Sequence, residues 1–119
     1  MTEDVERDEL RRRLGESGLI VLDVRGPAEF AGRQGAPCDP RQGRIAGAQN
    51  LAVQELMTLT AEQIRERLPG AVEVVAYCHS GSRSAFAVQI LRAAGIDARN
   101  YPGSWHEWSR DDSLPAETG

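Results

Sequence analysis

The densest chemistry in the chain lies in one run, Cys78-His79-Ser80-Gly81-Ser82-Arg83-Ser84. A cysteine becomes a strong nucleophile as its thiolate, and the residues behind Cys78 are of the kind that favour the thiolate. A loop rich in serine and glycine can turn several consecutive backbone N–H groups toward one point. Such a nest, leading into a helix N-terminus, binds anions and stabilises a charged sulfur. Thiolates in such places have pKa values lowered from about 8.5 to about 3.5–7.5. The pattern predicts Cys78 as an activated nucleophile and His79, Ser80, Gly81, Ser82, Arg83 and Ser84 as its anion-binding loop. All 14 basic residues are arginine. Lysine chemistry, including a Schiff base, is therefore unavailable, and any anion must be met by arginine, backbone N–H groups or helix N-termini.

The elements that must position this run can be read from periodicity and punctuation. Residues 3–14 read as a polar helix with Val5, Leu10 and Leu14 as a thin apolar stripe and Gly15 as its stop; Arg11, Arg12 and Arg13 read as a solvated face. Leu19 to Val24 is a β-branched apolar run of the kind found in strands covered on both faces. Pro27 to Gly32 predicts a short helical turn, and Ala48 to Leu51 a short strand. Arg33 to Arg44 is a Gly-, Pro- and Gln-rich surface loop, long enough to invite a functional reading. Thr60 and Gln63 form a capping box, with Leu59 and Ile64 as its hydrophobic staple, so a helix runs from Ala61 to about Leu68. Val72 to Tyr77 is a second buried strand, Ser84 to Ala94 a helix closed by Gly95, Ile96 to Tyr101 a further strand and Trp105 to Arg110 a last helical turn. Strands alternating with helices predict an α/β fold with a mainly parallel sheet. In such a sheet ligands sit outside the carboxyl ends of the strands, which is where Cys78 stands.

Composition bounds the rest. A chain of 119 residues with 40% hydrophobic and 27% charged residues is expected to form a single domain with its own core. The formal charge of -4 argues against a general nucleic-acid binder. Two cysteines cannot build a disulfide scaffold. Met1 to Glu9 carries acids where a signal peptide needs a basic and then an apolar stretch, and no apolar run approaches the ~20 residues of a membrane span. The expectation is a cytoplasmic protein acting at neither membranes nor nucleic acids.

Four segments in register resemble the rhodanese sulfurtransferases. Cys78 to Ser84 is similar to the family's C-x-x-G-x-R-S loop. Leu22-Asp23-Val24-Arg25, followed by Glu29-Phe30, is similar to L-D-V-R…E-F. Gly43 to Leu51 is similar to G-H-I-P-G-A-x-N-x, with Arg44 and Ala46 in place of His and Pro. Tyr101-Pro102-Gly103-Ser104-Trp105-His106-Glu107-Trp108 is similar to Y-D-G-S-W-x-E-W. The resemblance covers residues 19–119, with 1–18 as an N-terminal helical segment, and makes 1–119 one rhodanese-like domain. It implies a sulfurtransferase in which Cys78 takes a sulfur from a donor such as thiosulfate or a mercapto-acid, holds it as a persulfide and passes it to a thiol, cyanide or protein acceptor, with no metal and no cofactor. The same fold carries phosphatases and arsenate reductases with a C-x5-R loop; Cys78 to Arg83 is C-x4-R, a tighter ring suited to one sulfur atom. Where the cysteine is lost, such domains act as regulatory or protein-binding modules, the alternative reading here.

The chain also departs from the family. Ser80 stands where thiosulfate-using members carry a basic residue, His79 and Arg83 do not fit the C-G-[ST]-G-[VT] of mercaptopyruvate users, and Glu29 stands where both have an arginine. Weak affinity for thiosulfate is the expectation. Asp23 and Arg25 are read as a supporting ion pair at a strand end, and Trp105 and Trp108 as core anchors. His79 is open between tuning the site and a loop position without a role, and His106 reads as surface or packing. Cys38, in the long loop, is open between a thiol that resolves the persulfide into a disulfide and an incidental cysteine.

Overall fold

The structure, a computed structural model, describes residues 3–119; Met1 and Thr2, which open the predicted N-terminal segment, lie outside the described residues. In chain order the elements are α1 (Arg7–Arg13), β1 (Leu19–Asp23), α2 (Pro27–Ala31), β2 (Arg44–Ile45), β3 (Gln49–Asn50), α3 (Val53–Leu56), α4 (Ala61–Arg67), β4 (Glu73–Tyr77), α5 (Ser82–Ala93), β5 (Ala98–Asn100), α6 (Ser104–Trp108) and β6 (Ala116–Glu117). The main sheet has four parallel strands in the order β3-β1-β4-β5. A small antiparallel pair, β2 with β6, returns the C-terminal segment to the long loop. No helix of the described residues is long and apolar enough to cross a membrane.

The apolar runs become strands because alternate side chains fill two different layers. Ile20, Leu22 and Val24 of the first run, and Val74, Ala76 and Cys78 of the second, face one core with Leu56, Ile64, Leu68, Ala87, Val88 and Leu91. Val21, Val75 and Tyr77 face the other, with Leu10, Ile45, Tyr101, Trp105, Trp108 and Leu114. Each fully buried side chain of the Val, Leu, Ile or Phe kind contributes about 1.5–3 kcal/mol, so a one-residue slip of β1 or β4 would forfeit several such contributions at once. Both tryptophans are fully buried, and their indole N–H groups donate to the Arg41 and Pro115 carbonyls.

The local signals map closely onto the elements. The Thr60 hydroxyl accepts from the Gln63 N–H and the Gln63 side chain accepts from the Thr60 N–H, as the capping box requires. The edges differ where tertiary partners intervene. The first helix starts at Arg7 rather than residue 3, because Glu6 is extended and Val5 is buried, its N–H donating to the Asn100 carbonyl of β5. Arg13 is not a solvated residue: it bridges Glu9, Glu16 and Glu73, and Arg99 joins the same network through Glu9 and Glu73. This network raises the Arg13 pKa above its ordinary value, hydrogen bonds to Glu16 and Glu73 outweighing desolvation. The helix after the Cys78 loop begins two residues early, at Ser82, because Gly81 turns the chain in the left-handed region. Strand β6 and helix α3 have no sequence signal of their own and owe their form to what they pack against.

Candidate functional site

Strands β1 and β4 end side by side, Asp23 opposite Tyr77, so the chain leaves the sheet at Arg25 and Cys78 on the same edge. Cys78 stays in phase with Val74 and Ala76, which aims its side chain into the layer under α5. The turn that follows depends on Gly81. Its φ is +98°, and a Cβ there would stand 2.7 Å from the Pro102 carbonyl oxygen. No other residue type has both the conformational freedom and the space.

This turn closes the loop around the sulfur. The Gly81 N–H donates to Cys78 Sγ at 3.0 Å. The Ser84 hydroxyl lies 3.4 Å from the sulfur and 3.2 Å from the Gly81 carbonyl oxygen, and its single proton is drawn to the sulfur once that atom is charged. Burial pushes the thiol's pKa up, but the Ser84 hydroxyl and the backbone N–H groups of Ser84, Gly81 and Ser80 push it down further, and the net direction is down. Helix α5 starts at the same point with no acidic residue in its first turn, so its dipole adds in the same sense. Cys78 as a whole is 1% exposed.

The predicted loop residues divide by what they touch. Ser80 and Ser82 are exposed, and Ser80 acts on the sulfur through its backbone N–H. Arg83 turns to Glu29, donating from Nη1 and Nη2 at 3.1 and 3.3 Å. Burial pushes the Glu29 carboxyl up, Arg83 and the Gly26 N–H pull it down further, and it rests below its ordinary range. The same pairing raises the Arg83 pKa. The arginine whose charge interacts with Cys78 is thus already paired with an acid. His79 turns away to Asp39, with its Nε2 3.0 Å from Asp39 Oδ2, and its ring meets that of His106 edge-on at 5.5 Å.

Asp23 and Arg25 form a closed pair. Arg25 Nη2 reaches Asp23 Oδ2 at 2.6 Å, Nε reaches Oδ1 at 3.0 Å, and the Arg25 N–H donates to Oδ1 at 2.9 Å. Arg25 Nη2 also donates to the Gly43 carbonyl at 2.6 Å, and the guanidinium lies against the Tyr77 and Trp105 rings. Desolvation opposes the charge on Arg25, the hydrogen bonds and the charge of Asp23 together with the smaller pull of Tyr77 and Glu29 outweigh it, and the pKa is raised. The pair ties the end of β1 to the end of the long loop; it does not touch the sulfur.

Several residues of the site carry no signal strong enough to assign them from sequence. Ser104 accepts from the Cys78 N–H at 3.1 Å and donates to the Tyr101 carbonyl at 2.9 Å, holding a φ of 56° that is rare for a residue with a Cβ. The next two N–H groups, of Trp105 and His106, donate to the Cys78 and His79 carbonyls, both at 2.9 Å. The start of α6 is therefore a clamp on the backbone at Cys78, and G-S-W is its only trace in the sequence. Asp39 is known as a site residue only from its partners, and the pairing of Glu29 with Arg83 is visible only in the fold.

The rhodanese-like domain family matches residues 6–111 of this chain. The chain is 36% identical over 122 residues to the probable 3-mercaptopyruvate sulfurtransferase of Pseudomonas aeruginosa, covering 92% of this chain and 43% of that protein. It is 33% identical over 118 residues to the thiosulfate sulfurtransferase of Corynebacterium glutamicum, covering 86% of this chain and 39% of that protein. Among solved structures, a probable thiosulfate sulfurtransferase superposes with a TM-score of 0.79 at 44% identity, over 96% of this chain and 47% of the other. The chain thus spans less than half the length of these three relatives. The parallel sheet, the cysteine loop at its carboxyl edge and the match along most of the sequence agree: the chain belongs to the rhodanese-like domain family.

Proposed function

We propose that the protein is a sulfurtransferase that carries a sulfane sulfur on Cys78. The observation that carries this reading is the lowered thiol of Cys78, buried yet hydrogen-bonded by the Gly81 N–H and the Ser84 hydroxyl. With thiosulfate as donor, the Cys78 thiolate attacks the outer sulfur, the S–S bond of thiosulfate breaks with its electron pair going to sulfite, and Cys78 is left as a persulfide anion. An acceptor thiolate or cyanide then attacks the outer sulfur of the persulfide, and the electron pair returns to the Cys78 thiolate. Each step moves one sulfur and conserves charge, and the two half-reactions at one atom predict ping-pong kinetics. The N–H groups that hold the thiolate also suit a terminal persulfide anion, so the site favours both forms of the nucleophile. The sulfurtransferase names of the relatives support the reaction class.

The pairing of Arg83 with Glu29 supports a modest affinity for dianionic donors, because binding one must compete with a carboxylate already in place. A KM for thiosulfate in the low micromolar range, near the bottom of the usual span of about 1 μM to 1 mM, would contradict this. The reading as a whole is tested by mass spectrometry of the intact chain after incubation with thiosulfate or 3-mercaptopyruvate. The wild type gains one sulfur atom and loses it on adding cyanide, and thiocyanate accumulates. Cys78→Ser does neither. If no donor leaves a sulfur adduct on the wild type, the chain is a non-catalytic member of its family.

A further inference from the structure

We propose that Cys38, Asp39, His79 and His106 form a binding site for a divalent transition-metal ion of the zinc class, separate from the Cys78 sulfur. These four residues offer a thiol sulfur, a carboxylate oxygen and two imidazole nitrogens, all within 4.8 Å of one another. Donors around a tetrahedral zinc ion, with bonds of about 2.0–2.3 Å, stand roughly 3.3–3.8 Å apart. The set is therefore within small side-chain rotations of closing on one ion. Its sulfur, nitrogen and oxygen donors match the preference of zinc and its neighbours rather than of calcium or magnesium, which take oxygen ligands.

A second observation points into the same space. The Asp39 side chain has 0% exposure, and among the described residues its Oδ2 is a buried acceptor without a hydrogen-bond partner. His79 Nε2 is likewise without one, although it lies only 3.0 Å away. The two atoms are close but not aligned as donor and acceptor. An unmatched carboxylate oxygen in a protein interior costs free energy, and two unmatched atoms facing one point are what a shared cation would satisfy.

The surroundings hold this arrangement in place. Asp39 Oδ1 accepts from Arg110 Nη1 at 2.9 Å, which leaves Oδ2 as the free oxygen. The same guanidinium donates to the Cys38 and His106 carbonyls at 3.1 and 2.6 Å, so one arginine holds three of the four residues. Arg41 fastens the long loop from the other side, donating to the carbonyls of Trp108, Ser109, Asp111 and Leu114. Such hydrogen bonds orient ligating groups, and losing one typically costs about 10–100-fold in metal affinity. The site joins three segments: the long loop, the residue directly after Cys78 and helix α6. An ion there would pin the Arg33–Gly43 loop against the catalytic turn.

The test uses the full chain stripped with a chelator, titrated with Zn²⁺ and separately with Co²⁺, and compared with Cys38→Ser, His106→Ala and Cys78→Ser. Cys38 and His106 are exposed, so their variants should keep the native circular dichroism spectrum. The expected result is one tightly held ion per chain, and a cobalt spectrum with tetrahedral visible bands and a thiolate charge-transfer band. Cys38→Ser loses the charge-transfer band, both Cys38→Ser and His106→Ala lose affinity by at least about tenfold, and Cys78→Ser keeps both properties. Less than a stoichiometric ion in the wild type, binding indifferent to Cys38 and His106, or a cobalt band that depends on Cys78 would each overturn the proposal. The readout is metal binding, so it stands or falls apart from sulfur transfer.

Discussion

Asp23 and Asp39 are both buried carboxylates in segments beside the same Cys78 turn, and they are satisfied in opposite ways. Both oxygens of Asp23 are taken by Arg25, two positions along the chain, with the Arg25 N–H adding a further bond. Asp39 has one oxygen on Arg110 and the other, Oδ2, unmatched against His79. The closed pair builds structure: it joins β1 to Gly43 and leaves nothing over for a ligand. The open one keeps, among the described residues, an oxygen to which no group donates a hydrogen bond. Cys78 is a third case, a group whose charge is met by neutral N–H and O–H dipoles, which stabilise the anion without quenching it as a nucleophile.

The comparison can be broken first at its strongest point. Arg25→Ala leaves Asp23 as an uncompensated buried charge, and the expected cost is about 3–5 kcal/mol of stability, read from the urea midpoint at unchanged slope. A loss smaller than about 1 kcal/mol, the scale of a surface pair, would show that the pair is not the anchor described.

The next effect is on reactivity. Alkylation of Cys78 by a small reagent follows its thiolate fraction, and the lowered pKa keeps that fraction above that of an ordinary cysteine thiol at the same pH. Ser84→Ala removes a hydrogen bond that favours the charged form, so the pKa rises and the acid limb of the pH–rate profile moves to higher pH. At a pH on that limb the alkylation rate drops about tenfold if the limb moves by about one pH unit, while the rate above both pKa values is unchanged. An unmoved limb would mean that the Ser84 proton stays on the Gly81 carbonyl.

Glu29 stands between the closed and open cases, in a half-buried pair with Arg83. Glu29→Gln frees the guanidinium and is expected to lower the KM for thiosulfate several-fold with little change in kcat; a raised KM would give Glu29 a role in binding instead. Asp39→Asn should have the smallest effect on stability, a minor fraction of that of Arg25→Ala, because it removes a poorly matched charge along with a pair whose arginine is exposed. A melting temperature lowered as far as by Arg25→Ala would make Asp39 a structural anchor too.

What could be read in advance depended on how far along the chain each partner lies. The capping box at Thr60 spans three positions, and the strands and the Gly81 turn are written in contiguous residues, so the sheet and the sulfur loop follow from local pattern. Ser104 meets Cys78 across 26 positions, Arg83 meets Glu29 across 54, and Arg110 meets Asp39 across 71. Periodicity says nothing about such pairs. The predicted role of Arg83 as an anion contact did not include its pairing with Glu29, and the long loop gave no hint that Asp39 is buried.

By itself the sequence determined the layered α/β fold, through alternation of apolar residues in two buried strands, and the setting of the proposed nucleophile, through a cysteine ahead of glycine and serine at a helix start. Only the tertiary structure decided which charges are cancelled and which are left open. That outcome depends on separations of a few ångströms between segments brought together by the folding of the sheet, where the energy of a charge is set by its nearest partners and by its distance from water.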